Sequence, residues 1–191
     1  MARPREFDPD DALRSIQRAF WTRGYHGTSM QDIERATSLK KQSLYREFGN
    51  KEDMYARSLK LYRDRDLALL AETLLRADNA RQRFEEMFAE ALEPVKHGDR
   101  SGCFLCNSAI DRADEDFSVR EYAMTGIADT LAMFEDALTV SEPYASDPEL
   151  CHDTALFLTS GYFGLRVMVR SGTPLEKLQE AVTSLTERIA S

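Results

Sequence analysis

The sequence predicts an all-α fold of about nine helices, and three features of it carry that expectation. Apolar residues recur at three- and four-residue spacing along almost the whole chain, and the alternation of a half-buried strand is never sustained. Gly, Pro, Asn and Asp fall between the periodic stretches, where helix stops and caps belong. The break at Gly49-Asn50 divides the 191 residues into a three-helix head, 1–50, and a helical-bundle body, 51–191.

Taken in order, Asp8-Pro9 supplies a cap and a tolerated first-turn proline for a helix with Leu13, Ile16, Ala19 and Phe20 on one face, ending at Gly24. Ser29 with Asp32 three residues on is a variant capping box for a short second helix carrying Ile33 and Ala36. The third runs from Lys40 to Phe48, with Leu44 and Phe48 inward. Asn50 caps a long fourth helix from Lys51 toward Leu75, whose Met54, Leu59, Tyr62, Leu70 and Leu74 tie head to body.

A fifth helix carries Phe84, Met87, Phe88, Ala91, Leu92 and Val95 and is closed by the loop 96–102; a short sixth spans Phe104 to Arg112. In the seventh, Met124, Ile127, Leu131, Phe134 and Leu138 form an apolar stripe, stopped by Pro143. The last two open at Asp147-Pro148 and Thr173-Pro174, each read as a capping residue followed by a first-turn proline. The eighth is apolar almost all round from Leu156 to Val169, which demands neighbours on every side, whereas the ninth shows Leu175, Leu178, Val182, Leu185 and Ile189 on one side.

Charge is distributed unevenly. Residues 1–65 hold 14 Lys and Arg against 10 Asp and Glu, and the remainder 11 against 23, so the first 65 residues are net +4 and the rest −12. A basic head attracts phosphate while an acidic body limits non-specific adhesion. No uncharged stretch is long enough to span a bilayer, and the basic Met1–Arg5 start has no apolar signal region after it. Three cysteines make no disulfide framework, so the expected location is cytoplasmic, away from any membrane.

Two short consecutive helices, the second rich in Lys, Gln, Ser and Tyr, are what a helix-turn-helix needs. Lysine donates to guanine O6 and N7, and glutamine pairs with adenine N6 and N7, so Lys41, Gln42 and Ser43 are candidates for base edges, with Lys40 at the opening of the same helix. Phosphates are held by hydroxyls, cations and helix N-termini, which Thr28, Ser29, Tyr45 and Lys51 offer. Each has a plain structural alternative: Ser29 caps, Tyr45 packs, Lys51 is a solvated charge.

The string Gly24-Tyr25-His26-Gly27-Thr28-Ser29-Met30, then Ile33, then Ser43-Leu44-Tyr45-Arg46-Glu47-Phe48-Gly49-Asn50-Lys51-Glu52 closely resembles the DNA-binding head of the TetR family of repressors. The resemblance covers about residues 8–55, and Arg3-Pro4-Arg5 is similar to the family's basic N-terminal arm. It implies binding to a double-stranded operator as a dimer, with the third helix as reader and Thr28, Lys41, Gln42, Ser43, Tyr45 and Lys51 in contact with DNA. The chain departs from the pattern at Ser38, where the family usually has glycine in the turn. A second departure is Lys40 in place of a small cap, so the first turn of the reader is expected to be ordered partly by DNA.

In the body, Gly102-Cys103-Phe104-Leu105-Cys106-Asn107-Ser108-Ala109 and Ser160-Gly161-Tyr162-Phe163-Gly164-Leu165 resemble the family's sixth and eighth helices. The resemblance implies a four-helix dimer interface from helices eight and nine, here expected at Gly161, Gly164, Leu165, Met168, Leu178, Val182 and Leu185. It also implies release by a small molecule of unknown identity, in a pocket that Tyr62, Phe88, Phe104, Met124, Phe134 and Tyr162 would line, although periodic apolar residues ordinarily pack as core.

Cys103 and Cys106 have a spacing that serves redox chemistry or metal ligation, with His97, Cys151 and His152 as more distant candidates, but cysteine is also an ordinary small core residue. A thiol-based redox or electrophile sensor on the same fold is therefore an alternative. Phosphate loops, His-Glu-x-x-His pairs and nucleophile elbows are absent from the sequence, so neither an enzyme nor a cofactor or metal is expected. The basic head disfavours a helical interaction adaptor.

Overall fold

The computed structural model describes residues 7–190, and among them every regular element is helical. In chain order these are α1 (Pro9–Arg23), α2 (Met30–Thr37), α3 (Lys41–Phe48), α4 (Lys51–Leu74), α5 (Ala80–Lys96), α6 (Phe104–Arg112), α7 (Phe117–Leu138), α8 (Pro148–Arg170) and α9 (Leu175–Thr186). The expected N-terminal arm, Arg3 to Arg5, lies outside the described residues. No described helix is long and apolar enough to cross a membrane.

The starts of the helices follow from capping chemistry. The Asp8 carboxylate accepts from the backbone N–H groups of Asp10 and Asp11, and Ser29 and Asp32 close a reciprocal capping box on α2. Asn50 and Asp53 do the same on α4, a pairing in which Asp53 had no role assigned from sequence. At the other end of the body, Pro174 rather than Thr173 takes the N-cap position of α9, and no side chain caps it.

Two apolar cores run into each other through α4. Its Met54, Tyr55, Leu59 and Tyr62 join Ile16, Phe20, Ile33, Leu44 and Phe48 in the head. Its Leu70 and Leu74 join Phe84, Phe88, Phe134, Leu158 and Tyr162 in the body. Cys103, Phe104 and Leu105 of the α6 segment complete the head core, with Phe104 packed against Trp21 of α1 and Tyr55 and Tyr62 of α4.

The inward face of α7 differs from the expected stripe. Val119, Ala123, Gly126, Thr130 and Phe134 are buried, while Met124 and Ile127 are exposed. Close approach explains the shift: a Cβ on Gly126 would stand 2.6 Å from Leu105 Cδ1, so α7 meets α6 closely at Gly126, and Met124 and Ile127 beside it face out while Phe134 and Leu138 further along stay buried. Met124, at 65% exposure, is thereby removed from the expected interior pocket.

Candidate nucleic-acid interface

The third helix is two-sided. Leu44 and Phe48 are buried in the head core, where each contributes about 1.5–3 kcal/mol of apolar burial, and Lys40, Lys41, Gln42, Tyr45 and Arg46 are exposed, with Ser43 at the margin. A single short helix is thus anchored by one stripe and presents the other. Lys41 Nζ lies 5.5 Å from the centroid of the Tyr45 ring, so a cation and a hydroxyl-bearing ring share this outer face.

The turn leading into it is specific to this chain. Ser38 adopts a left-handed conformation at φ +58°, which ends α2 where glycine would fit without strain. Lys40 offers no side-chain cap to α3, but the Glu34 carboxylate on α2 accepts a 2.6 Å hydrogen bond from the Lys41 backbone N–H. That bond supplies from within the chain part of the ordering of the first turn expected to come partly from DNA: one helix of the motif caps the other.

Residues proposed for phosphate contact divide into two groups. Ser29 is exposed at the N-terminus of α2, where its hydroxyl donates to Asp32 Oδ2 and accepts from the Asp32 N–H. The hydroxyl and N–H of Ser29 hold the Asp32 carboxyl well below the usual carboxylate range. Lys51 opens α4, half-buried, its ammonium 4.1 Å from the centroid of Tyr25; burial first, then the charge of Arg112, lowers its pKa. Thr28, by contrast, is fully buried, and its hydroxyl donates to Gly24 O at 2.7 Å. It fastens the turn before α2, and the side chain drops out of the contact set because its only hydroxyl is committed inward.

The body holds a polar cluster that sequence reasoning found only in part. Arg166 donates to the Tyr62 hydroxyl at 2.6 Å and lies 3.6 Å from Asp66 Oδ1, and the Tyr162 hydroxyl donates weakly to Asp66 Oδ2 at 3.4 Å. Burial pushes both phenols up, while Arg166 keeps its charge against the effect of burial through Tyr162, Tyr62 and Asp66. The Nε of Arg166 and the hydroxyl of Thr159 are buried without a partner. Spacing alone marked the phenols; Asp66 and Arg166 carry no motif and needed the packing of α4 against α8 to be seen. Phe88, Phe104 and Phe134 are fully buried core residues.

Cys103 sits next to this cluster as the N-cap of α6, its sulfur accepting from Cys106 N–H at 3.5 Å. A hydrogen bond from the Cys106 thiol favours the Cys103 thiolate, and the same bond pushes the Cys106 thiol up. His97 pairs with Glu93 and His152 with Glu135, so neither joins the cysteines, and no group of three potential metal ligands exists among the described residues.

The final helices correct the expected interface. Leu165 and Leu178 are buried within the chain, and Gly161 faces α9, where an added Cβ would meet Leu185 Cδ2 at 2.5 Å. These three belong to the packing of α8 on α9. Gly164 has open space in front of it, and Leu156, Phe157 and Val167 of α8 are exposed beside half-buried Met168, Val182 and Leu185.

Comparison with known proteins matches this architecture. Residues 13–57, which span most of α1 through the first turns of α4, match the model of bacterial regulatory proteins of the tetR family. The chain is 29% identical over 182 residues to the HTH-type transcriptional repressor ComR of Escherichia coli K12, covering 93% of this chain and 87% of that protein. A cysteine-substituted form of the TetR family transcriptional regulator CifR, solved with 26-base-pair double-strand operator DNA, superposes with a TM-score of 0.85 at 25% identity over 98% of this chain and all of that one. The reduced form of Escherichia coli NemR shares the fold with a TM-score of 0.79 at 20% identity, over 95% and 96% of the two chains. With a two-sided α3 on a basic head, an all-helical body behind it and these relatives, the chain is a DNA-binding transcriptional regulator whose head, residues 13–57, is of the tetR-family type and whose whole length is similar to TetR-type repressors.

Proposed function

We propose that this regulator is a repressor with a head (1–50) and a regulatory body (51–191), that it binds a palindromic operator as a homodimer, and that a small molecule releases it. The observation that carries the reading is the division of α3, with Leu44 and Phe48 locked inside and Lys40, Lys41, Gln42 and Tyr45 outside, because a helix anchored in this way enters a major groove without unfolding. Ser29 and Lys51 stand at the N-termini of α2 and α4, where helix dipoles favour phosphate.

A second copy is the partner that suits the exposed apolar face of α8 and α9. Leu156, Phe157, Gly164 and Val167 form a stripe on α8, and a short reader gains affinity and specificity when paired on two half-sites. The inducer would act on the Tyr62, Asp66, Tyr162 and Arg166 cluster, whose unpartnered Arg166 Nε gives an incoming acceptor group something to bind. Selection of bound sequences from random duplex DNA, followed by titration across salt, tests the reading. A palindromic site with a steep salt dependence is expected, whereas the absence of any enriched sequence would refute it.

The geometry of Cys103 and Cys106 favours a second reading, in which a peroxide is the signal. The Cys103 thiolate attacks one peroxide oxygen, forming a sulfenic acid as water or hydroxide leaves; the Cys106 thiol then displaces water to form the disulfide. Peroxide is expected to weaken operator binding of the native chain and not that of Cys103→Ser. An equal response in both would eliminate the thiol reading while leaving the first intact.

A further inference from the structure

The C-terminal turn of α6 and the turn that follows it grip the segment between α1 and α2 at three adjacent residues. Asp111 Oδ2 accepts from the Tyr25 backbone N–H at 3.1 Å, and Glu115 lies 3.2 Å from His26 Nε2. Gly24 makes room for this approach: its φ is +72°, and a Cβ there would stand 3.0 Å from Asp111 Oδ2. Between these contacts, the Arg112 guanidinium rests 3.8 Å from the centroid of the Tyr25 ring.

Arg112 is an unusual residue to bury. It is 7% exposed, only its Nη2 approaches a carboxylate, Asp116 at 3.4 Å, and its Nε and Nη1 have no partner. Packing alone would be served better by an apolar side chain, because buried unpaired donors cost stability. The planar guanidinium has a face to lay on an aromatic ring, and the ring it has chosen carries Lys51 at 4.1 Å. One tyrosine of the head therefore bears both the lysine that opens α4 and an arginine delivered from the body.

We propose that Arg112 is a positioning residue for DNA binding, fixing the Tyr25 ring that places the Lys51 ammonium, so that movement of α6 weakens the phosphate clamp without disturbing the reader helix. The inference rests on the reading of Lys51 as a phosphate contact. Burial first, and then the nearby Arg112 charge, lowers the Lys51 pKa, in keeping with two cations sharing one ring. It follows that a signal received anywhere along the segment from Cys103 to Asp116 has a short route to the DNA surface, through a single ring.

The test is a double-mutant cycle on the full-length protein with a selected operator duplex, read by fluorescence anisotropy across salt, with thermal unfolding as a control for folding. Lys51→Ala is expected to weaken binding about fivefold to tenfold and to lower the salt slope by about one unit. Arg112→Met, which keeps length and bulk, is expected to reproduce a loss of the same kind with a flatter slope, and to add less than about twofold in the Lys51→Ala background. If Arg112→Met does not fold, Arg112→Lys, which keeps the charge but lacks the flat face, carries the same expectation. Multiplicative losses, or an unchanged salt slope in the Arg112 variant, overturn the positioning role. Unchanged affinity and slope in Lys51→Ala alone overturn the clamp reading on which it depends.

Discussion

The Glu34 carboxylate on α2 and the backbone N–H of Lys41 on α3 are joined by a 2.6 Å hydrogen bond that crosses the turn of the helix-turn-helix. This bond stands in for the side-chain cap that Lys40 does not provide, and it ties the first turn of the reader to α2. Glu34→Ala is accordingly expected to cost about 1 kcal/mol of stability, as loss of an N-cap does. Operator affinity should fall with it, because the first turn carries Lys41 and Gln42. Equilibrium urea unfolding and operator titration of the same preparation measure both; a variant that loses stability without losing affinity would show that the turn is not limiting for recognition.

Ser38 gives the opposite sign. A non-glycine residue at φ +58° carries the steric cost of the left-handed region, and Ser38→Gly removes it. The gain is partly offset by the greater freedom of glycine in the unfolded chain, so the expected outcome is a stabilisation of about 0.5–1 kcal/mol with DNA binding unchanged. Thermal unfolding reads it directly.

Gly161 and Gly164 separate the two ways in which α8 is packed. Gly164→Arg projects into open space on the exposed face, whereas Gly161→Arg drives into Leu185 of the same chain. Mass measured by light scattering should fall from dimer to monomer for Gly164→Arg with its melting temperature little changed. Gly161→Arg should instead lower the melting temperature, by the overpacking cost of about 1–3 kcal/mol or more. A Gly164→Arg chain that remains dimeric would move the interface elsewhere.

Asp32 makes the head sensitive to acid in a definite direction. Its carboxyl is depressed in the folded chain by the Ser29 hydroxyl and N–H, so the stability it supplies is present above the ordinary carboxylate range and is lost as pH falls toward the lowered value. Asp32→Asn lacks that contribution at every pH. The gap in melting temperature between the native chain and Asp32→Asn should therefore be widest near neutrality and close below about pH 4. A gap independent of pH would mean that the capping box draws nothing from ionisation.

What the sequence made legible and what it hid divide along physical lines. The bounds of α6 and the inward pair Leu44 and Phe48 follow from periodicity and caps, which are local, and local rules hold here. The exposed face of α3 was legible for the same reason. Thr28 was misread because a hydroxyl at a helix start serves phosphate or backbone equally well, and only the fold shows it turned toward Gly24. Leu165, Leu178 and Met124 were misassigned because a stripe on a helix does not say which neighbour it meets. Asp66, Arg166 and Arg112 lie beyond any local rule, since Asp66 and Tyr62 meet Arg166 from a helix far away in sequence and Arg112 is engaged by the rings of Tyr25 and Tyr55 rather than through a spacing.

The account stands on α3 as the reader of sequence, and the most direct measurement is the base preference of Gln42→Ala against that of the native chain, determined by titrating the selected operator and each of its single-base variants. The expected result is a loss of about 1–3 kcal/mol at the selected site with discrimination relaxed at one base pair of each half-site. An unaltered preference at every position, in this variant and in Lys41→Ala alike, would contradict it.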